Sequence, residues 1–350
     1  MTKTALVEVS TSHEECFYSQ ARFMQNTEFE LDLYIHPNLN SQIASYQRLF
    51  KSIFFAKEES GLFKKLWSSI QLVKKLKNYD LIIFNTASSS KLIRNTIFLL
   101  NLYPKTKCIG LLHNTKKLES SFTQKIISTK IKQYFVLADH LVKSPSRKIK
   151  LESFYPIYFP KIKTSVVKKE NEIWIVIPGR IDFSRRNYTL LSNALEKVST
   201  LTNVRFIFLG KLLETTKDGK ALLFEFKKSA FFKKILFFDY YIENEEYQAY
   251  LSSADFIMPL LKSDSSYLNH KISGSFNLAY AYEKPILAQD FFMDIPDFSG
   301  HAIFFHKDNL HFILEELDKR NLKHPAIKQL DKWSFENQKK NYLNFLRLTH

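Results

Sequence analysis

The chain has 350 residues, 45% of them hydrophobic, with 51 Lys and Arg against 35 Asp and Glu and a formal net charge of +16. That is ample for a large core, the length favours two domains, and the cationic excess implies anionic company: a nucleoside diphosphate, nucleic acid or an acidic membrane surface. Cys16 and Cys108 stand far apart without CxxC spacing, against a zinc site and a disulfide scaffold, and no apolar run approaches the roughly 18 residues of a membrane span.

The N-terminal MTKTALVEVS runs directly into a strand pattern, without the apolar core and cleavage site of a signal peptide, so a cytoplasmic protein is expected. TALVEVS is the first strand. In STSHEE, which follows, Ser/Thr before Glu has the form of a helix cap. FELDLYI is a second strand, ended by His36-Pro37-Asn38. Two helical segments come next. The second, LFKKLWSSIQLVKKLK, puts Leu62, Leu66, Ile70, Val73 and Lys77 on one stripe, with Lys64, Lys65, Lys74 and Lys75 largely off it. It has two readings: a helix packed on the first sheet with its lysines in water, which is preferred, or one docked on an anionic bilayer. DLIIFNT is a buried strand, and KLIRNTIFLLNLYP a helix stopped by Pro104. KCIGLLHNT is a strand with a polar tip, followed by a Lys-rich helix, and YFVLADHLVKSPS supplies one or two more short strands. The alternation is that of a doubly wound α/β domain.

Over residues 151–169 the pattern breaks: SFYPIYFPKIKTSVVKKE has two prolines and no helical period. The domain boundary is placed here, giving residues 1–165 and 166–325, with 326–350 as a helical tail. The alternation then restarts. EIWIVIPGRI is a strand ending in Pro-Gly, RRNYTLLSNALEKV a helix, VRFIFLG a strand, LLFEFKKSAFF a helix, ILFFDYY a strand and NEEYQAYLSSA a helix. ADFIMPL is a buried parallel strand, residues 262–271 a polar loop, and SGSFNLAYAYE a helix closed before PILA, the next strand. HAIFFHK is the last short strand, and DNLHFILEEL and the tail are helical. A loop at the carboxyl end of a parallel strand, feeding a helix start with Lys271 beside it, suits an anion such as a diphosphate.

The order of these signals resembles the nucleotide-sugar glycosyltransferases of the two-Rossmann-domain, GT-B type, nearest the large retaining family that builds bacterial glycans. Four segments carry the likeness: PGRIDFSRRNYTLL; YQAYLSSADFIMPL; SGSFNLAYAYEKPILA; and GLLHNT followed by VLADHLVKSPS. The resemblance implies two Rossmann-like domains facing a cleft. The first would bind a glycan or lipid-linked acceptor, the second a nucleoside-diphosphate sugar, and the tail would return toward the first domain. It implies that His113 touches the transferred sugar. One departure stands out: the family's two glutamates, eight residues apart, are replaced by His270 and Leu278. The second of those glutamates holds the donor ribose in the family, so that contact does not carry over.

Transfer from a nucleotide sugar leaves a diphosphate of growing negative charge, and cations and helix-start N–H groups aimed there stabilise the transition state. Arg180, Arg185, Arg186 and Lys271 are the candidates, since guanidinium forks match phosphate oxygens in pairs. Gly179 would allow close backbone approach, and Ser273, Gly274 and Ser275 would present N–H and O–H donors. His113, Arg186 and Lys271 are the candidate catalytic groups. On the acceptor side stand His13 and Asn114, His13 as a base if the reaction inverts. The bland alternatives are a solvated RRN face, an ordinary cap at SGS and a first-turn histidine. No Asp-x-Asp pair occurs, so no metal or other cofactor is expected beyond the donor substrate. HExxH, GxSxG and P-loop patterns are missing too. The rivals are a catalytically silent GT-B-like binding subunit and a nucleotide-sugar epimerase; a nucleic-acid binder lacks any supporting motif.

Overall fold

The computed structural model describes residues 1–57, 61–88, 90–143, 146, 148–161, 163, 165–322 and 330–348. Ser144 and Pro145 of VLADHLVKSPS, the 325/326 boundary, the start of the tail and the Leu62 side chain lie outside what is described.

In chain order the first elements are β1 (Thr2–Glu8), α1 (Phe17–Met24), β2 (Phe29–Ile35), β3 (Ile53–Phe55), α2 (Leu62–Leu76) and β4 (Leu81–Phe84). Then come α3 (Lys91–Leu100), β5 (Lys107–Leu112), α4 (Lys116–Ser120), α5 (Phe122–Lys130), β6 (Gln133–Val136) and β7 (Lys150–Ser153). The second half holds β8 (Ile173–Pro178), α6 (Tyr188–Lys197), β9 (Val204–Lys211), α7 (Lys217–Lys227), β10 (Ile235–Phe238), α8 (Asn244–Ser253) and β11 (Phe256–Ile257). It closes with α9 (Ser265–Asn269), α10 (Gly274–Ala281), β12 (Ile286–Gln289), β13 (Ala302–Phe305), α11 (Leu310–Asp318) and α12 (Phe335–Arg347). Two compact units result: Met1–Pro160 with Asn269–Ile272 and Leu330–His350, and Lys161–Leu268 with Ser273–Gln329.

The first unit is a seven-stranded parallel sheet of order β3-β2-β1-β4-β5-β6-β7. Its central strands are near-continuous apolar runs, as strands covered on both faces must be. Right-handed crossovers put α1 on one face and α2, α3 and α5 on the other. The α1 face is finished by α12, whose Tyr342, Leu343, Phe345 and Leu346 join the core around Phe23, Phe135 and Phe154. The Tyr342 ring stacks on Phe135 at 4.5 Å.

The second unit is a six-stranded parallel sheet of order β10-β9-β8-β11-β12-β13. Its core joins Ile175, Ile177, Phe206, Phe208 and Phe226 to Leu310 and Leu314 of α11. Both sheets therefore show the double-Rossmann plan expected of the sequence, and each reverses strand order once, at β1/β4 and at β8/β11.

Several local expectations are corrected. STSHEE does not cap an α-helix: a 3-10 turn over Glu14–Cys16 precedes α1, and the Ser10 hydroxyl bonds to Ser12 instead. The first helical segment after FELDLYI is a 3-10 stretch, Ser41–Leu49, and the edge strand β3 follows it. Strand β7 overlaps the start of the segment expected to be irregular; KLES is polar because an edge strand needs no apolar period. ADFIMPL gives only a two-residue strand, since Pro259 has no N–H and Leu260 takes φ 49°. The RRN triplet precedes α6, whose N-cap is Asn187. Helix α2 buries Ser69, Leu72, Val73 and Leu76, while Leu66 on the expected stripe is 49% exposed.

Candidate functional site

In the first unit the polar groups gather where β1, β4 and β5 end. Glu8 closes β1 and is buried, and three donors converge on its carboxylate: the Ser10 N–H at 2.8 Å, Asn85 Nδ2 at 3.0 Å and Thr86 Oγ1 at 2.6 Å. Asn85 uses its whole side-chain amide and its main-chain carbonyl in this cluster. Its Nδ2 also donates to the His13 carbonyl (2.9 Å), its Oδ1 accepts from Gln20 Nε2 (2.8 Å), and its main-chain carbonyl accepts from His113 Nε2 (3.0 Å). Gln20 is fixed in turn by the Tyr342 hydroxyl at 2.9 Å.

This network holds His13 at φ 71°, a left-handed conformation costly for a residue with a side chain. The His13 ring lies on the His113 ring at 3.6 Å between centroids and 22° between planes. His13 Nδ1 meets Glu15 Oε1 at 3.2 Å. Burial works to lower the His13 pKa, but Glu15, with Glu8 and Glu14 behind it, outweighs burial and holds it above the ordinary value. The same contact keeps the Glu15 carboxyl below its ordinary value, against the effect of burial. Glu14 is pushed up to about 7, by burial and by the charge of Glu15. His113 is pushed down to about 4, by burial first and then by the facing His13. It is therefore neutral near pH 7. Because its Nε2 faces a carbonyl, Nε2 carries the hydrogen and Nδ1 the lone pair.

Asn114 accepts from the Lys116 N–H at 3.0 Å, as a local turn at the start of α4. Thr115 N donates to the His270 carbonyl at 2.8 Å. Lys271, half-buried, belongs to this unit, whereas Ser273, Gly274 and Ser275 belong to the other.

In the second unit the loops after β8 and β11 are stitched together. Arg186 and Leu261 form an isolated antiparallel bridge, Asn187 N donates to Leu260 O at 2.7 Å, and Lys262 N to Arg185 O at 2.9 Å. The Arg186 guanidinium is buried between the two strand ends and donates to the carbonyls of Pro178 and Pro259. Burial lowers its pKa somewhat. It thus ties the two strand ends together at the β8/β11 switch point. Gly179 has φ 103°, and a Cβ there would sit 2.8 Å from Arg186 Nη2. Arg180 and Arg185 are exposed on the same loop, and Arg185 Nε reaches the buried Tyr267 hydroxyl at 3.3 Å. Asp182 shapes the loop by accepting from the Ser184 N–H at 2.8 Å.

Ser273 caps α10, its hydroxyl accepting from the Ser275 N–H at 3.4 Å, and the Ser275 hydroxyl donates to the Pro178 carbonyl at 3.4 Å. Both are buried, so their hydroxyls shape the turn, and Gly274 is the exposed residue of the three. One turn on, Asn277 is 3% exposed, and its Oδ1 has no hydrogen-bond partner among the described residues. Among the described residues no three His, Cys, Asp or Glu side chains gather as metal ligands.

Glu8, Gln20, Asn85, Thr86, Tyr267 and Asn277 were not singled out from the sequence. Asn85 and Thr86 had a signal, since FNT ends its strand as HNT ends the next. Glu8 had one too, as a carboxylate in an otherwise apolar strand.

No protein-family model matches the chain, and no curated protein sequence does. Solved structures do. Anabaena HepE, solved with UDP and glucose, is 12% identical, with 97% of this chain and 94% of that one covered at a TM-score of 0.68. The lipopolysaccharide outer core galactosyltransferase WaaB, without ligand, is 13% identical over 99% of both chains at 0.63. A putative UDP-N-acetylglucosamine 2-epimerase from Listeria monocytogenes is 11% identical over 98% of this chain and 95% of that one at 0.61. At these identities the likeness is one of fold: the chain has the GT-B-type arrangement of two Rossmann-like units, the fold the sequence motifs pointed to.

Proposed function

We propose that the chain is a glycosyltransferase that moves a sugar from a nucleoside-diphosphate sugar to a hydroxyl of a glycan or lipid-linked acceptor, with protein cations in place of a metal. The observation that carries this is the set of loops that meet at the β8/β11 switch point. There a left-handed glycine, two exposed arginines and the capped start of α10 meet at one strand end. HepE, of the same fold, has been solved with UDP and with UDP-glucose.

In this reading Arg180 and Arg185 take the diphosphate oxygens, and Gly179 and the start of α10 approach them with backbone N–H groups. Arg186 is a positioning residue: it holds the two loops at the spacing the diphosphate needs. Ser273 and Ser275 do the same for the helix start. His113, neutral, accepts a sugar hydroxyl at Nδ1. The His13–Glu15 pair is the candidate proton acceptor for the incoming hydroxyl, and Asn114 orders the start of α4 beside it.

A thermal-shift series of nucleoside diphosphates tests the donor site. A ligand at about 100 times its Kd adds roughly 2.7 kcal/mol of stability. Arg180→Ala and Arg185→Ala are each expected to weaken that ligand about 10-fold or more while leaving the unliganded melting temperature unchanged. A flat response to every diphosphate sinks the donor site. Donor consumed to an isomer without acceptor favours the epimerase, and tight binding without turnover favours the silent subunit.

A further inference from the structure

Among the described residues nothing pairs with the outer side of β10, the end strand in the order β10-β9-β8-β11-β12-β13. The strand is apolar throughout, ILFF, yet Leu236 is 38% exposed and Ile235 and Phe237 are only half-buried. Backbone groups alternate sides along a strand. The Phe238 carbonyl accepts from Leu212 N at 2.7 Å, on the β9 side, so the N–H and C=O groups of Ile235 and Phe237 point outward. Such an edge is a template for one more strand.

Charge decides which strand fits. Lys233, in the turn before β10, and Asp239, just after it, lie three residues to either side of Leu236, and both are exposed. A second β10 running antiparallel is related to the first by a two-fold axis perpendicular to the sheet, which keeps each side chain on its own face. Joining the outward groups of Ile235 to those of Phe237 in the other copy sets that axis beside Leu236. The two Leu236 side chains then meet, and each Lys233 faces Asp239 of the other copy. Tyr240 and Tyr241, 47% and 53% exposed, reach toward the half-buried Phe231 and Phe232 of the other copy. Parallel pairing would instead set Lys233 against Lys233. The edge strand β3 shows the contrast: Lys51 and Lys57 lie three residues to either side of Phe54, so the same antiparallel pairing there brings lysine to lysine.

We infer that two copies of the chain join along β10, antiparallel and centred on Leu236, so that their second sheets become continuous. This goes beyond the catalytic proposal and does not depend on it. Strand β9 stands between β10 and β8, so the loops after β8 and β11 stay clear of the joint.

Sedimentation velocity on the full chain, from about 1 to 100 μM, is expected to show a monomer–dimer equilibrium. Lys233→Glu and Asp239→Lys are each expected to weaken the dimer about tenfold, because each sets like charges opposite one another at both ends of the joint. Lys233→Glu combined with Asp239→Lys should restore it to within about threefold of the parent. Leu236→Lys puts two ammonium groups at the axis and should weaken it about tenfold or more. All three side chains are exposed, so every variant should keep the circular dichroism spectrum of the parent. A chain that stays monomeric over the whole range overturns the inference. So does a dimer that neither Leu236→Lys nor either single charge reversal weakens, which puts the joint on another face. Single reversals that weaken the dimer without rescue in the double variant overturn the antiparallel register.

Discussion

Arg186 holds two backbone carbonyls from loops that follow different strands, and its guanidinium is almost wholly out of water. Removing it takes this donor from the Pro259 carbonyl and leaves the Pro178 carbonyl only the long 3.4 Å bond from the Ser275 hydroxyl, so Arg186→Met is expected to cost about 3 kcal/mol in denaturant unfolding. Gly179→Ala faces two penalties, the left-handed φ and the 2.8 Å approach to Arg186 Nη2. It should cost about 2 kcal/mol, and less in the Arg186→Met background, because the second penalty then relaxes. Glu14 gives a pH signature. Its carboxyl is protonated in folded and unfolded chains below about 4.5, and only the folded chain keeps the proton from there to about 7. Stability from this group therefore falls as pH rises through that window. Glu14→Gln should match the parent at pH 4.5 and exceed it by on the order of 1 kcal/mol at pH 8, allowing for solvent screening. Equal differences at both pH values would remove Glu14 from the titrating cluster.

Elements were legible where one physical rule governed them. The central strands are apolar on both sides because helices cover both faces, and runs such as LIIF and IWIVIP say so without context. Strand β7 was invisible because an edge strand of KLES obeys no burial pattern. The loop after β8 was legible as a glycine with arginines. It was not legible which arginine is buried, since that depends on Pro259, 73 positions away from Arg186. The left-handed His13 was equally hidden, because the Asn85 amide that holds it comes from a different strand. Asp318, at the end of α11, is a similar long-range device: its carboxylate accepts from the N–H groups of Thr202 (2.9 Å), Asn203 (2.6 Å) and Val204 (2.7 Å). Asp318→Ala should cost about 2–3 kcal/mol by freeing three donors at the start of β9, read as a lower midpoint in urea.

At the scale of the whole molecule, the two cores differ in what they need from the chain. Among the described residues, the core cluster of the second unit is built from residues between Ile173 and Leu322. A fragment of residues 161–322 is therefore expected to unfold cooperatively by itself. The core of the first unit takes Tyr342, Leu343, Phe345 and Leu346 from α12. A fragment of residues 1–160 lacks them and should bind a dye for exposed apolar surface, with little near-ultraviolet circular dichroism. Sharp unfolding of the shorter piece would show that α12 is dispensable to that core.

The Tyr342 hydroxyl that steadies Gln20 comes from 322 positions farther along the chain. At translation rates of 5–20 residues per second, roughly a quarter of a minute to a minute separates the two on the ribosome. Until then Gln20 and Asn85 have been made but lack their last support. The nascent protein therefore passes through a long interval in which its first sheet exists without the finished polar cluster at its strand ends, and the order of synthesis itself delays the assembly of that cluster.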